Sequence, residues 1–339
     1  MARYHKGKQT IVFENPPSLL SASAIGGKKE GEGPLKSYFD FISQDTKFGQ
    51  DSWEKAESQM QSLALQKALE KANLQDKDID FVFAGDLLNQ CISTSFSIRS
   101  TNIPLIGLYG ACSTMAESLA LAAMSVSAGF AQHVIAMTSS HFASAERQYR
   151  FPLVYGGQRT PTAQWTVTGA GCTILAPGGN DPYVTSATIG KIVDWGIKDA
   201  NNMGAAMAPA AYSTIAQHLE DTGKQPKDYD LIVSGDLGSL GKQIVMDFFE
   251  KDGVSLKGVY DDCGVMIYDL KKQDVHAGGS GCGCSATVFC GYLLQQMKQK
   301  KWKKILLCGT GALLSPTSSQ QGESVPSVCH AVSIELERS

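Results

Sequence analysis

The cysteine of Gly110-Ala111-Cys112-Ser113 stands where a thiol could do chemistry. It follows a β-like apolar run, Ile103–Leu108, and opens a stretch of small residues from Met115 to Ala128 that is apolar nearly all round and reads as a buried helix. A thiol at a helix N-terminus feels the positive end of the dipole and the unpaired N–H groups, which lower its pKa and make it a nucleophile. A buried structural cysteine in a crowded turn fits the same local pattern. Two aspartates come next. Asp78-Ile-Asp-Phe-Val-Phe-Ala-Gly-Asp86-Leu87 and Asp228-Tyr-Asp-Leu-Ile-Val-Ser-Gly-Asp236-Leu237 share the order D-x-D, three apolar residues, one small residue, G-D-L. Each reads as a strand buried on both faces that delivers a carboxylate to a loop at its C-terminal end, to line a site or to cap a turn. A third group, Ser139, Ser140 and His141, follows another apolar run, and Arg147 and Arg150 lie just beyond. Arginine guanidinium groups can make bidentate contacts with carboxylates, and Arg147 beside Glu146 fits a surface ion pair equally well.

These groups imply a duplicated scaffold. The two D-x-D strands lie 150 residues apart, and a second pair of segments follows the same order. Residues 107–138 and 277–310 each read as a Gly/Ser/Ala-rich turn holding a cysteine (Cys112, Cys282), a helix of small residues, and a buried strand about twenty-three residues later. Two matching pairs in one order point to an internal repeat. At 339 residues the chain suits two α/β lobes, 1–181 and 182–339, and with no Pro/Ser linker between them they should share one interface. Residues 14–50, rich in Gly, Lys, Ser and Pro, read as a long ordered loop, and 139–172 as the largest irregular segment. Asp51 or Ser52 caps a helix from Trp53 to about Asn73, with Met60, Leu63, Leu65 and Leu69 as its buried stripe. The second half opens with a strand at Val184–Asp194 and a helix near Gly204–Thr222.

Composition excludes several classes. Thirty basic against 33 acidic residues give no field for nucleic acid. No stretch approaches the roughly eighteen consecutive apolar residues of a membrane span, and the polar start lacks the apolar core of a signal peptide. The expectation is a protein made in the cytoplasm that stays soluble, able to dock on a membrane protein. Nine cysteines, mostly in apolar or Gly-rich segments, suit reduced thiols, and Cys282-Gly-Cys284 lacks the second Cys/His pair that structural zinc needs.

Gly110-Ala-Cys112-Ser113, the small-residue helix behind it, the duplicated halves and the Gly-rich 278–286 turn resemble the thiolase and β-ketoacyl-synthase superfamily. The resemblance covers residues 78–314 and implies a five-layered αβαβα fold of two pseudo-symmetric halves, with the site between them. Longer strings are similar to one family within it, the stage V sporulation AD proteins, which bind dipicolinic acid as subunits of a spore channel complex. They include Gly7-Lys-Gln-Thr10, Ala84-Gly-Asp-Leu-Leu-Asn-Gln90, Thr138-Ser-Ser-His141, Tyr155-Gly-Gly-Gln158, Met203-Gly-Ala-Ala-Met-Ala-Pro-Ala-Ala211, Ala277-Gly-Gly-Ser-Gly-Cys282 and Gly309-Thr-Gly-Ala-Leu-Leu-Ser-Pro316. That likeness implies dipicolinate (pyridine-2,6-dicarboxylate) as ligand, calcium only as part of that ligand, and no other cofactor. It further implies the membrane subunits of the stage V sporulation A channel as partners, a peripheral place at the spore inner membrane, and a homodimer paired through Ile103–Leu108.

Condensation in this superfamily needs a thiolate and two groups that polarise the thioester carbonyl, His with Asn or two His. Where those motifs should fall, this chain has Ser234-Gly-Asp236-Leu-Gly238 and Gly278-Gly-Ser-Gly281-Cys282, and neither donor is present. His276 lies off the motif position, and Cys308-Gly-Thr-Gly, similar to the turn carrying the thiolase acid, lacks a histidine partner. A non-catalytic binding site is therefore expected, formed by Asp86, Cys112, Ser113, Ser139, Ser140, His141, Arg147, Asp236 and Gly281, with Asp86 and Asp236 meeting calcium if it bridges protein and ligand. The alternative is a condensing enzyme or thioesterase acting through Cys112.

Overall fold

The structure, a computed structural model, describes residues 4–149, 159–180 and 182–337. Ten strands form the frame: β1 (Ser18–Gly26), β2 (Phe81–Gly85), β3 (Leu105–Gly107), β4 (Val134–Ser140), β5 (Gly169–Ala176), β6 (Tyr183–Thr188), β7 (Leu231–Ser234), β8 (Tyr260–Asp262), β9 (Lys304–Ala312) and β10 (Ser327–Glu335). The first five run in the order β1-β5-β4-β2-β3 and the second five in the order β6-β10-β9-β7-β8, each with two antiparallel pairings followed by two parallel ones. A single antiparallel pair, Tyr183 with Ser18, joins the two sheets. The D-x-D strands β2 and β7 occupy equivalent places, as the repeat predicts.

Six helices complete the layers: α1 (Trp53–Ala72), α2 (Thr114–Ser127), α3 (Phe142–Tyr149), α4 (Met203–Thr222), α5 (Gly238–Lys251) and α6 (Cys282–Thr287), the last continuing through a π-turn to Lys298. α1 packs outside the first sheet and α4 with α5 outside the second. Between the sheets, α2 touches strands of both and lies against α6, where Met115, Leu119, Val288 and Phe289 are fully buried. This is the αβαβα stack, with the helices that follow Cys112 and Cys282 side by side at its centre. Ser52 caps α1 by accepting from Lys55 N, and Asn202 caps α4 by accepting from Ala205 N; left-handed Asn73 and Gly223 end them.

Three sequence expectations fail. The supposed loop 14–50 contains β1, a central strand whose serines satisfy their hydroxyls on α1: Ser21 Oγ donates to Ala68 O at 2.8 Å and Ser23 Oγ to Ala64 O at 2.5 Å. Serine and alanine are there because the helix presses close, not because the chain turns. The irregular segment 139–172 holds the end of β4, all of α3, a two-residue strand at Trp165–Thr166 and the start of β5. Residues 150–158 of that segment lie outside the described residues; in β5 a Cβ at Gly171 would fall 2.4 Å from Ala286 O, so the strand needs glycine where α6 crosses it. The strand placed at Val184–Asp194 is Tyr183–Thr188; Gly190 leaves the sheet against Cys329 O, and Val193 makes only an isolated bridge to Ser327.

Candidate functional site

The cysteine turn is strained into place. Ala111 adopts φ +52°, a left-handed conformation rare for alanine, within a short 3-10 turn (Ala111–Ser113) ahead of α2. This swings Cys112 towards a cavity of about 290 Å³ between the halves. Asp236, from the loop after β7, and Gly281, from the turn before α6, meet it there. Gly281 holds φ +94°, with Ser140 so close behind it that a Cβ would lie 2.6 Å from the serine Oγ, so no larger residue fits. Its N–H donates to Asp236 Oδ2 at 2.9 Å, and Thr310 Oγ1 donates to Oδ1 at 2.8 Å. The Cys112 thiol faces both the Asp236 carboxyl and the Gly281 amide.

The electrostatics oppose a thiolate. Burial, then the Asp236 charge and Cys282, push the Cys112 thiol well above its usual range, against the lowering expected of a helix N-terminus. Burial likewise raises Asp236 to about 6 and the neighbouring Asp262, which accepts from Ser234 Oγ and from the Leu237 and Gly238 amides, to about 7. Around this centre the cavity has apolar walls, including Leu87, Met203, Met207 and Leu314, two tyrosines whose hydroxyls lie 3.1 Å apart (Tyr109, Tyr149), and a second acid, Glu146, which accepts from Thr166 Oγ1 at 2.9 Å. Among the described residues that line it, none is basic.

Of the nine residues expected at the site, Cys112, Asp236 and Gly281 come together and six do not line the cavity. Asp86 is fully buried and accepts from Leu88 N (2.8 Å), Thr94 N (2.8 Å) and Thr94 Oγ1 (2.6 Å), so it caps the loop away from the cavity. Ser113 turns back to Gly110 O. Ser139 donates to Glu57 and Ser140 to Val167 O. His141 lies at a separate cavity, where Nε2 donates to Thr46 O and Nδ1 accepts from Ala143 N; burial lowers its pKa. Arg147 pairs with Glu54 at the surface, and Arg150 lies outside the described residues. Cys308 is buried in the outer core under α4, and His276 pairs with Asp274. Among the described residues, no three His, Cys, Asp or Glu side chains form a group able to hold a metal ion.

The repeat explains why only one cysteine turn is open. Asp86 and Cys282 mirror Asp236 and Cys112, but α1 fills that copy: Gln61 Nε2 donates to Gly85 O, Thr94 and Ser139, and Glu57 accepts from Ser139 and Ser144. Burial and the nearby Asp86 raise Glu57 to about 8. A carboxyl whose folded pKa exceeds its unfolded value of about 4.3 stabilises fully below that value and loses the contribution as pH rises through about 8. Glu57→Gln should therefore flatten the fall in melting temperature between pH 6 and pH 9 measured by thermal denaturation.

A strained cysteine elbow between duplicated halves of an αβαβα stack defines a thiolase-like protein of the ketoacyl-synthase III type of fold. Solved structures agree: 3-oxoacyl-[acyl-carrier-protein] synthase III from Aquifex aeolicus has a TM-score of 0.55 at 12% identity, covering 94% of this chain and 99% of its own. Cerulenin-bound OleA from Xanthomonas campestris has a TM-score of 0.59 at 14% identity, covering 96% of this chain and 97% of its own. At such identities the likeness extends to the fold alone. The family is more specific. Residues 7–335 match the model of stage V sporulation protein AD, and the chain is 46% identical over 329 residues to that protein from Bacillus subtilis (strain 168), covering 97% of each. The chain belongs to the stage V sporulation protein AD family and so to sporulation.

Proposed function

We propose that this chain binds dipicolinic acid together with calcium in the central cavity, without turnover, as a peripheral subunit of the spore inner-membrane channel that loads the ligand in sporulation and releases it in germination. The observation that carries this reading is Asp236. Beside Cys112, where the fold's enzymes need a donor to polarise a thioester carbonyl, stands an acceptor carboxylate that would repel a developing oxyanion. With Glu146 it gives the cavity two acids, which disfavour a bare dianion and favour one that brings its own calcium, an ion that takes oxygen ligands. The cavity's size and apolar walls suit a small planar ring. Calorimetric titration tests this. The calcium chelate should bind more tightly as pH rises through about 6 and Asp236 ionises, and free dipicolinate less tightly. Absence of saturable heat at the central cavity with calcium would overturn it.

The alternative, acyl transfer through Cys112, draws on the positive φ of Ala111 and the nucleophile-like elbow it creates. It would require the thiol to ionise next to a carboxylate.

We also propose a homodimer. Strand β3 is the outer edge of the first sheet, with Ile106 45% exposed, and an unpaired apolar edge favours pairing with a second copy. Light scattering at micromolar concentration should give the dimer mass. Attachment to the membrane would run through partner subunits, since no helix among the described residues is long and apolar enough to cross one.

A further inference from the structure

The turn that leads from α6 to β9 carries a charge that its geometry does not need. Residues 298–304 read Lys298-Gln-Lys-Lys-Trp-Lys-Lys304, five lysines and a tryptophan in seven positions. The repeat supplies an internal control, because α2 leads to β4 by the same turn. In the first half Gly129 N donates to Val126 O and Phe130 N to Ser125 O; in the second Lys300 N donates to Met297 O and Lys301 N to Gln296 O. Asp80 Oδ2 accepts from Gln132 N and His133 N, and Asp230 Oδ2 accepts in the same way from Lys303 N and Lys304 N. The matching first-half residues, Ser127-Ala-Gly-Phe-Ala-Gln-His133, include no lysine or arginine. Gly129 fills the left-handed position at φ +77°, where it is unstrained; Lys300 fills it at φ +62°, where a Cβ is strained. The backbone would be better served by glycine, so the lysine there answers to something other than the turn.

Lys298, Lys300, Lys301 and Lys303 are exposed, and of the five lysines only Lys304 forms an ion pair among the described residues, with Glu335 Oε2 at 2.9 Å. Trp302 is half-buried among them, edge-on to Tyr292 at 5.7 Å, with Lys301 Nζ 4.7 Å from its ring centre. The acids at this end are accounted for: Asp261 pairs with Lys242, Asp40 with Lys71, and Lys227 offsets its neighbour Asp228. Asp230 and Glu337 are exposed and oppose the lysines, four charges against two. The result is a local positive surface on a chain whose net charge is -3. We propose that this turn is a docking surface for an anionic lipid bilayer, with Lys298, Lys300, Lys301 and Lys303 over the headgroup phosphates and Trp302 at the interface. A cluster of this size gains from the diffuse negative potential of such a surface, and tryptophan favours the boundary between headgroup and acyl chain. The basic residues are all lysine, a flexible point charge suited to diffuse attraction, and none is arginine, whose fork suits a fixed phosphate. The surface adds direct lipid contact to any attachment through partner subunits and does not depend on what fills the central cavity.

Co-sedimentation of the full chain with vesicles of equal phosphatidylglycerol and phosphatidylcholine should show saturable binding, and vesicles of phosphatidylcholine alone should show none. Raising salt from about 0.1 M to about 1 M should release the protein, as the screening length falls from about 10 Å to about 3 Å. Lys301→Gln should weaken binding about fivefold, and joint replacement of Lys298, Lys300, Lys301 and Lys303 by glutamine at least about a hundredfold, whereas Lys67→Gln on α1 should leave it unchanged. Lys300→Gly separates charge from fold: vesicle affinity should fall about fivefold while the melting temperature is no lower than the parent's, because glycine relieves the left-handed backbone. Equal binding to phosphatidylcholine vesicles, an unchanged affinity in the fourfold variant, or tighter binding to duplex DNA than to the anionic vesicles would overturn the assignment.

Discussion

Replacing Cys112 with leucine is expected to lower dipicolinate affinity in the central cavity about a hundredfold, or about 2.7 kcal/mol, while Cys112→Ser stays within about threefold of the parent. The contrast follows from what the thiol does. It is uncharged, it faces Asp236 and the Gly281 amide, and it borders a cavity of about 290 Å³. Serine keeps a small polar group facing the same partners. Leucine takes space from the ligand and sets an apolar branch against a carboxylate. A covalent role predicts a different pattern, in which serine is as damaging as leucine because the nucleophile is lost in both. Calorimetry on the three proteins separates the two, with thermal melts to show that each variant is folded.

Asp86→Ala should destabilise the fold by about 3 kcal/mol and weaken ligand binding indirectly. Removing the carboxylate leaves the Leu88 and Thr94 amides and the Thr94 hydroxyl without an acceptor in a site that excludes water, at about 1–3 kcal/mol for each buried orphan. The loop it holds carries Leu87, which forms a wall of the cavity and whose carbonyl accepts from the Tyr149 hydroxyl. Asp86→Asn, which keeps one acceptor oxygen, should cost less. Urea denaturation gives the stability change, and a titration at a temperature where the variant remains folded gives the binding change. An unchanged denaturation midpoint for Asp86→Ala would contradict the capping role.

How far the sequence reveals the site depends on the kind of signal each residue carries. The repeat was legible because β2 and β7 must be buried on both faces and must end in the same Gly-Asp turn, and the chain writes that requirement twice. The repeat could not say which copy stays open. That is decided by Glu57 and Gln61, which lie on an ordinary-looking face of α1 and reach Ser139 and Thr94 only in three dimensions. Asp86 and Asp236 are the same residue in the same motif, yet one is a cap and the other faces the central cavity. Ser139, Ser140 and His141 were drawn to the site by their place at the end of β4, but hydroxyls and imidazole alike are spent on backbone and buried partners. The walls that were missed, Tyr109, Met203, Met207 and Leu313 to Ser315, fall in or beside strings that carry the family resemblance. Their signal was present as unusual sequence, without the periodicity or charge that marks a function.

The claim most exposed to test is that Cys112 remains an uncharged thiol beside Asp236 and takes no acyl group. Intact-mass spectrometry after incubation with acetyl-CoA and malonyl-CoA addresses it in one experiment. The expected result is unmodified protein at every incubation time. A stable acyl adduct mapped to Cys112 would contradict the non-catalytic reading and return the chain to the acyl-transfer chemistry of its fold.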